Sequence, residues 1–360
     1  MMRHASLLAL ICALAAPLGA QRAAISDKPG TPFKLATFEA GNTTRLGLVV
    51  GGRVIDIAAA NAALASAEHL DAVRIPADMR TLIEDYTRVA PRLYQIANYY
   101  TGARLAAARF ALDADKVSFK APIKYPYNLL AIAANYRLHA GEMFPAGSPQ
   151  QQAALDADPD KVDPVFFAKS PRSCIIDPGE PYIMPRGRNI DWEGELAIVI
   201  GRPAFNVTES QAHDYVFGYS IMYDVSDRGG EGRPLTAMFN SPNWFAGKSR
   251  DRAAPFGPVL VPKEFLPPRP TFHIVTKVNG ATKQDGDTKN LIWDEAHMVR
   301  YLTSILTLYP GDVISSGTPD GVGAGRRPAE FLKPGDVVTI EIDGIGTLRT
   351  PMKAAAGGTP

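Results

Sequence analysis

The segment Asp191-Trp192-Glu193-Gly194-Glu195 runs without a break into Leu196-Ala197-Ile198-Val199-Ile200, and no other stretch constrains the fold as much. An unbroken apolar run with β-branched members reads as a buried strand, and strand geometry sends alternate side chains to one face. Glu193 and Glu195 then point the same way at the strand's mouth. Two carboxylates held there repel each other and resist desolvation, so a buried site needs a compensating cation or a shared proton. A divalent metal is the simplest resident. On an exposed strand end the same pair would need no partner, so the remainder of the chain decides.

With 46% hydrophobic and 21% charged residues among 360, the chain has room for one large globular domain or two ordinary ones. Formal net charge is +1, without long like-charge runs. Nothing here asks for nucleic acid or an anionic membrane surface, and a small molecule is the expected partner. Residues 1–20 place Arg3 and His4 before the apolar run Leu7 to Ala16 and end at Pro17-Leu18-Gly19-Ala20. That is the order of a secretory signal. Export to a bacterial periplasm is expected, with no membrane partner after removal; Leu18 is an imperfect residue for a cut after Ala20, so an uncleaved anchor is the alternative. Once residues 1–20 are removed, Cys174 is the only cysteine left, which excludes an intramolecular disulfide and a metal–thiolate site.

Residues 33–57 alternate apolar runs with turns such as Gly51-Gly52, as an antiparallel meander does. Helical spacing follows over 58–69 and 79–112, bent or broken near Pro91. Residues 22–118 are therefore expected to form a small α/β cap domain, with Pro122 and Pro126 at the join. Beyond Leu129, short strands between Gly and Pro turns argue for a mostly β, α+β domain. Pro310-Gly311-Asp312 and Pro334-Gly335-Asp336 each feed an apolar strand. Helices are expected only after Asn135 and over 297–308, surface loops over 156–163 and 262–270, and a disordered tail over 353–360.

If Arg137 opens a helical turn, His139 and Glu142 share a face. A carboxylate beside an imidazole accepts its Nδ1 proton and raises the basicity of Nε2, which suits a water-activating base. Asp224 ends the apolar run Val216 to Tyr223. Three carboxylates favour Mg²⁺ or Mn²⁺, with Ca²⁺ compatible and Zn²⁺ disfavoured. Lys248, steadied by the turn cluster Pro255-Phe256-Gly257-Pro258, is placed to stabilise an oxyanion. The glycines of Ser316-Gly317-Thr318-Pro319-Asp320-Gly321 offer backbone N–H groups to a carboxylate, without the spacing of a nucleotide loop.

Asn135-Tyr136 with His139 and Glu142, Glu193-x-Glu195, Asp224, Gly247-Lys248-Ser249, Pro310-Gly311-Asp312 and Gly317-Thr318-Pro319 occur in one order. Together they resemble the fumarylacetoacetate hydrolase family over residues 122–352. The resemblance implies a mixed β-sandwich roll, assembled as a homodimer, with a metal held by Glu193, Glu195 and Asp224. It also implies a His139–Glu142 dyad on a lid, Lys248 at the developing charge, and Tyr136, Lys169 and Thr318 near the substrate. The expected activity is metal-dependent hydrolysis of a C–C bond in an acylpyruvate or 1,3-diketo acid. Isomerisation or decarboxylation of 2-oxo or 2-hydroxydienoic acids is the alternative, and from another class a periplasmic binding protein without turnover. Glu231 stands where the family commonly has a substrate-facing glutamine, which would disfavour an anionic group at that end.

Overall fold

The computed structural model describes residues 24–232, 235–236 and 241–356. The signal segment expected over residues 1–20 lies outside these described residues. Among them, strands assemble into a twelve-stranded mixed sheet, a five-stranded sheet and a two-stranded ribbon. The chain is α+β with a large β component, as its pattern of short apolar runs and turns predicts.

The strand Gly194–Ile200 sits inside the large sheet, antiparallel both to Val216–Tyr223 and to Val313–Ser315. Val313–Ser315 in turn runs parallel to Leu129–Ile132. Strand direction thus brings one start and three ends to the same edge of the sheet: Glu193 and Glu195, Asp224, the segment after Ser315, and the segment after Ile132. This topology builds the site.

Both faces of the central strand are buried. Leu196, Ile198 and Ile200 enter a core shared with Ile274, Ile340 and Leu348 of the smaller sheet and with Met298 and Leu302 of the helix Glu295–Ile305. Ala197 and Val199 enter a second core on the opposite face, filled by Leu64, Leu82, Val89 and Leu93 from the N-terminal helices. Fully burying each large aliphatic side chain is worth about 1.5–3 kcal/mol. The strand is therefore held firmly enough to carry ionised groups at its end.

The N-terminal meander forms as expected, and its tight turn is explained by backbone geometry. Gly51 and Gly52 both have positive φ, +52° and +79°, which the two-residue hairpin between Thr43–Val50 and Arg53–Asp56 requires. Lys34–Ala40 pairs with Ala254–Pro262 at Leu35↔Leu260, so the meander is continuous with the large sheet.

Several local expectations are corrected. The helical break lies at Asp85, between Met79–Glu84 and Tyr86–Tyr99, and Pro91 sits inside the second helix. Its missing N–H frees the carbonyl of Thr87, which is exposed and can be hydrated. Helix does not reach residue 112: Ala111–Asp113 is a strand beside Arg53–Asp56. The late helix runs Glu295–Ile305, started by Asp294, whose carboxylate accepts from the N–H groups of Ala296 and His297. Short helices Pro149–Leu155 and Glu209–Tyr215 also form, the latter closed by a Thr208–Gln211 capping box. The last strand, Gly346–Ala354, stays paired through Ala354↔Met184, beyond the expected start of the tail.

Asp312 shows what a Pro-Gly-Asp turn does here. Its fully buried carboxylate accepts from the backbone and side-chain nitrogens of Asn128, each at 2.8 Å, and from the Tyr309 N–H at 2.9 Å. It locks the turn to the chain entering Leu129–Ile132. Asp312→Ala leaves buried donors unpaired and is expected to destabilise the protein by about 2–4 kcal/mol. A lower urea midpoint at unchanged m-value checks this; an unchanged midpoint would remove the anchor role.

Candidate active site

At the shared sheet edge, Glu193, Glu195 and Asp224 each present an oxygen within 4.8 Å of the others, and all three are buried. The Asp224 N–H donates to the Glu193 carbonyl at 3.0 Å, a backbone bond that continues the strand pairing and fixes the two carboxylates side by side. Lys248 ends the short helix Trp244–Lys248. Its Nζ donates to Glu193 Oε2 at 2.5 Å, to Asp224 Oδ2 at 2.7 Å and to Ser226 Oγ at 2.7 Å. Lys169 Nζ donates to Asp224 Oδ1 at 2.5 Å and to the Lys248 carbonyl.

Glu195 is held differently. Its Oε2 accepts from Ser315 Oγ at 2.5 Å and from the Gly317 N–H at 3.0 Å. Gly317 can turn its N–H inward because it has φ +81°, and a Cβ there would meet Asn135 Cβ at 2.8 Å. Among the described residues no cation forms an ion pair with Glu195. Burial and the neighbouring charges of Asp224 and Glu193 push its pKa well above the ordinary glutamate range. Burial opposes ionisation of Glu193 too, but Lys248, Arg228 and His139 outweigh it and hold that group ionised, below the usual range. For Lys248, burial is overcome by Asp224 and Glu193, so the ammonium is retained.

The dyad expected from spacing is formed. Helix Arg137–Glu142 brings His139 Nδ1 to 2.7 Å from Glu142 Oε1. The second oxygen of Glu142 accepts from the Gly321 N–H at 2.9 Å, which ties this helix to the loop after Thr318. Nδ1 is engaged by Glu142, and the His139 side chain lines a cavity with Glu193, Glu195, Lys248, Arg228 and Thr318.

The other expected site residues are placed less directly. Lys169 and Asp224 lie behind Lys248 and do not line the cavity. Thr318 does line it, but its hydroxyl donates to the Gly194 carbonyl at 3.0 Å and accepts from Gln284 Nε2 at 2.7 Å. Tyr136 is buried nearby with no partner for its hydroxyl among the described residues; burial and then the Glu195 charge push its pKa far up. Glu231 is set apart: it is exposed, its backbone bonds Gly187 and Arg188, and its side chain packs over Gly187.

Sequence reasoning missed Arg228 and Asp191. Arg228 donates through Nε to Asp191 Oδ2 at 3.0 Å and through Nη2 to Glu193. Asp191 also accepts from the N–H groups of Gly323 and Ala324, at 2.7 and 3.1 Å. The usable signal was the placement of both residues, two before Glu193 and four after Asp224.

The model of the fumarylacetoacetate hydrolase C-terminal domain matches residues 128–353. The chain belongs to the fumarylacetoacetate hydrolase family. It is 31% identical over 333 residues to the mitochondrial oxaloacetate tautomerase fahd2 of Xenopus laevis, covering 91% of this chain and 92% of that one. Among solved structures, the fumarylacetoacetate hydrolase of psychrophilic Exiguobacterium antarcticum superposes with a TM-score of 0.67 at 29% identity, covering 90% of this chain and all of that one. A probable 2-hydroxyhepta-2,4-diene-1,7-dioate isomerase from Mycobacterium abscessus gives 0.66 at 25% identity, over 90% and 99%. Family relatives of this chain are thus named for hydrolysis, isomerisation and tautomerisation.

The state of Glu195 has a measurable consequence. A carboxyl with a higher pKa folded than unfolded binds more protons when folded, so its contribution to stability is lost as pH rises from the unfolded pKa through the folded one. Metal-free Glu195→Gln should therefore melt above the parent protein at pH 8, by about 1 kcal/mol or roughly 1–2 °C for a chain of this length, with the gap closing toward pH 5. Differential scanning calorimetry across pH checks it; a gap constant with pH would contradict the assignment.

Proposed function

We propose that this protein is a metal-dependent hydrolase that cleaves the C–C bond of an acylpyruvate or related 1,3-diketo acid. The observation that carries this reading is the His139–Glu142 dyad opening onto the same cavity as the buried carboxylates, because binding alone needs no positioned base. The donor set fits a hard divalent ion: three carboxylate oxygens lie within 4.8 Å of one another, and an ammonium already compensates two of the groups. A divalent ion on Glu193, Glu195 and Asp224, Mg²⁺ or Mn²⁺ with Ca²⁺ compatible, would polarise the 2-oxo group and offset charge on its enolate.

The chain's own groups supply the remainder. Nε2 of His139 takes a proton from water as the water oxygen bonds to the acyl carbonyl carbon. The bond from that carbon to the methylene breaks, its electron pair passes to the pyruvate fragment, and a proton returns there from solvent or the imidazolium. Glu142 holds the imidazole in the tautomer that leaves Nε2 open. Lys248, kept charged, lies where negative charge develops.

A second reading is favoured by the identity to an oxaloacetate tautomerase over nine-tenths of both chains. In it the dyad moves a proton between carbon and oxygen, and no bond between carbons breaks.

Product analysis separates the two. Acetylpyruvate, fumarylpyruvate and oxaloacetate would be incubated with protein and Mn²⁺, with chelator as control. Metal-dependent release of pyruvate and a carboxylic acid is the expected result, whereas keto–enol exchange of oxaloacetate without cleavage selects tautomerisation. Asp224→Ala is expected to abolish Mn²⁺ binding by calorimetry. His139→Ala should retain Mn²⁺ affinity within a few-fold while kcat falls about 10²–10⁴-fold; full turnover in that variant would end the assignment of the base.

A further inference from the structure

Trp244 and Lys248 are four residues apart on one short helix and so share its face. Lys248 reaches the carboxylates, and Trp244 lines the same cavity. Phe167, from the strand Phe166–Ala168, lies against both. Its ring stacks on Trp244 with centroids 5.3 Å apart and planes 7° from parallel, and Lys248 Nζ sits 5.2 Å over its centroid. Two stacked rings with few rotatable bonds make a rigid apolar plate. Met143, Ile132, Ala133 and Ala134 also line the cavity, so its described lining pairs the charged groups with an apolar share.

The cations of the described lining are His139, Arg228 and Lys248. Each already bonds a carboxylate of the site: Glu142 for His139, Asp191 and Glu193 for Arg228, Glu193 and Asp224 for Lys248. A second substrate carboxylate laid on Trp244 would lose water without gaining an unengaged cation among the described residues, which is costly, whereas an apolar group would gain from leaving water.

We infer that the site selects 2-oxo acids whose distal arm is uncharged and apolar, aliphatic or aryl, with Trp244 on Phe167 as the surface that receives it. This rests on the reading of the site as one for 2-oxo acids. Trp244 is a specificity-determining residue, and the preferred acylpyruvates are those with hydrocarbon acyl groups rather than a terminal carboxylate.

Binding tests this apart from turnover. Calorimetry in excess Mn²⁺ would compare 4-phenyl-2-oxobutanoate with 2-oxoglutarate. The parent protein is expected to bind the phenyl acid at least tenfold more tightly. Trp244→Ala should bring the two within about threefold by weakening the phenyl acid alone, and Met143→Lys, on another part of the wall, should tighten 2-oxoglutarate. Equal affinities in the parent protein, or a preference for 2-oxoglutarate, would overturn the inference and leave the proposed hydrolase standing. Failure of both acids to bind would overturn the inference together with the 2-oxo acid site. A clear phenyl preference without cleavage of any acylpyruvate would uphold it while removing the hydrolase reading.

Discussion

Four buried carboxylates, Asp191, Glu193, Glu195 and Asp224, meet three buried or half-buried cations, Lys169, Lys248 and Arg228, at one end of the central sheet. The set holds one more acid than base. Removing charges from water costs several kcal/mol per ion even after relaxation, so the surrounding fold must hold this cluster in place. It does so through backbone pairing on both sides of Gly194–Ile200 and through two cores that bury its alternate side chains. The excess acid falls on Glu195, the carboxyl bonded by a hydroxyl and an amide and, among the described residues, by no cation. A divalent ion would remove the need for a proton there and leave the cluster positive by one, which is the condition for receiving an anionic substrate head.

The central strand and its carboxylates were legible because apolar runs and alternation are local signals. The dyad was legible for the same reason, since three-residue spacing on a helix fixes neighbours without knowledge of the fold. Arg228 was not. Its two partners lie 37 and 35 residues away in sequence, and only the pairing of Arg188–Asp191 with Ser226–Gly230 brings them together. The Glu142–Gly321 contact spans 179 residues and had no local trace. Glu231 is displaced for the opposite reason: sequence offset placed it at the substrate, whereas the chain, with Gly229 and Gly230 at φ +99° and +124°, carries it against Gly187.

Asn135 shows how the pieces are held in register. Its side chain donates to the carbonyls of Trp293 and Ser316, both at 2.9 Å, and accepts from the Trp293 N–H at 2.8 Å. A fully buried amide thereby joins the end of Leu129–Ile132, the loop that carries Gly317 and Thr318, and the start of the helix Glu295–Ile305. The helix bearing His139 begins two residues later and is attached to the opposite wall of the site through Glu142. The position of His139 is thus set at both ends of its helix, by a neutral hub at the root and by the Glu142–Gly321 bond at the tip.

Hydrolysis, isomerisation and tautomerisation of 2-oxo acids share a first requirement, a place for enolate charge, and differ in what becomes of the proton and the neighbouring bond. On the proposed reading the buried cluster would meet the shared requirement with groups that barely touch solvent and would change little with the substrate's arm. The branch would on that reading be set at His139, which lines the cavity with the carboxylates and would meet either water or a substrate carbon through Nε2. A bulky apolar arm resting on Trp244 would fix the acyl carbonyl relative to His139, whereas a short dicarboxylate would leave room for reorientation. Control of reaction type would, on the proposed reading, lie with Trp244, Met143 and the helix that carries His139, and the carboxylates would supply what every branch needs.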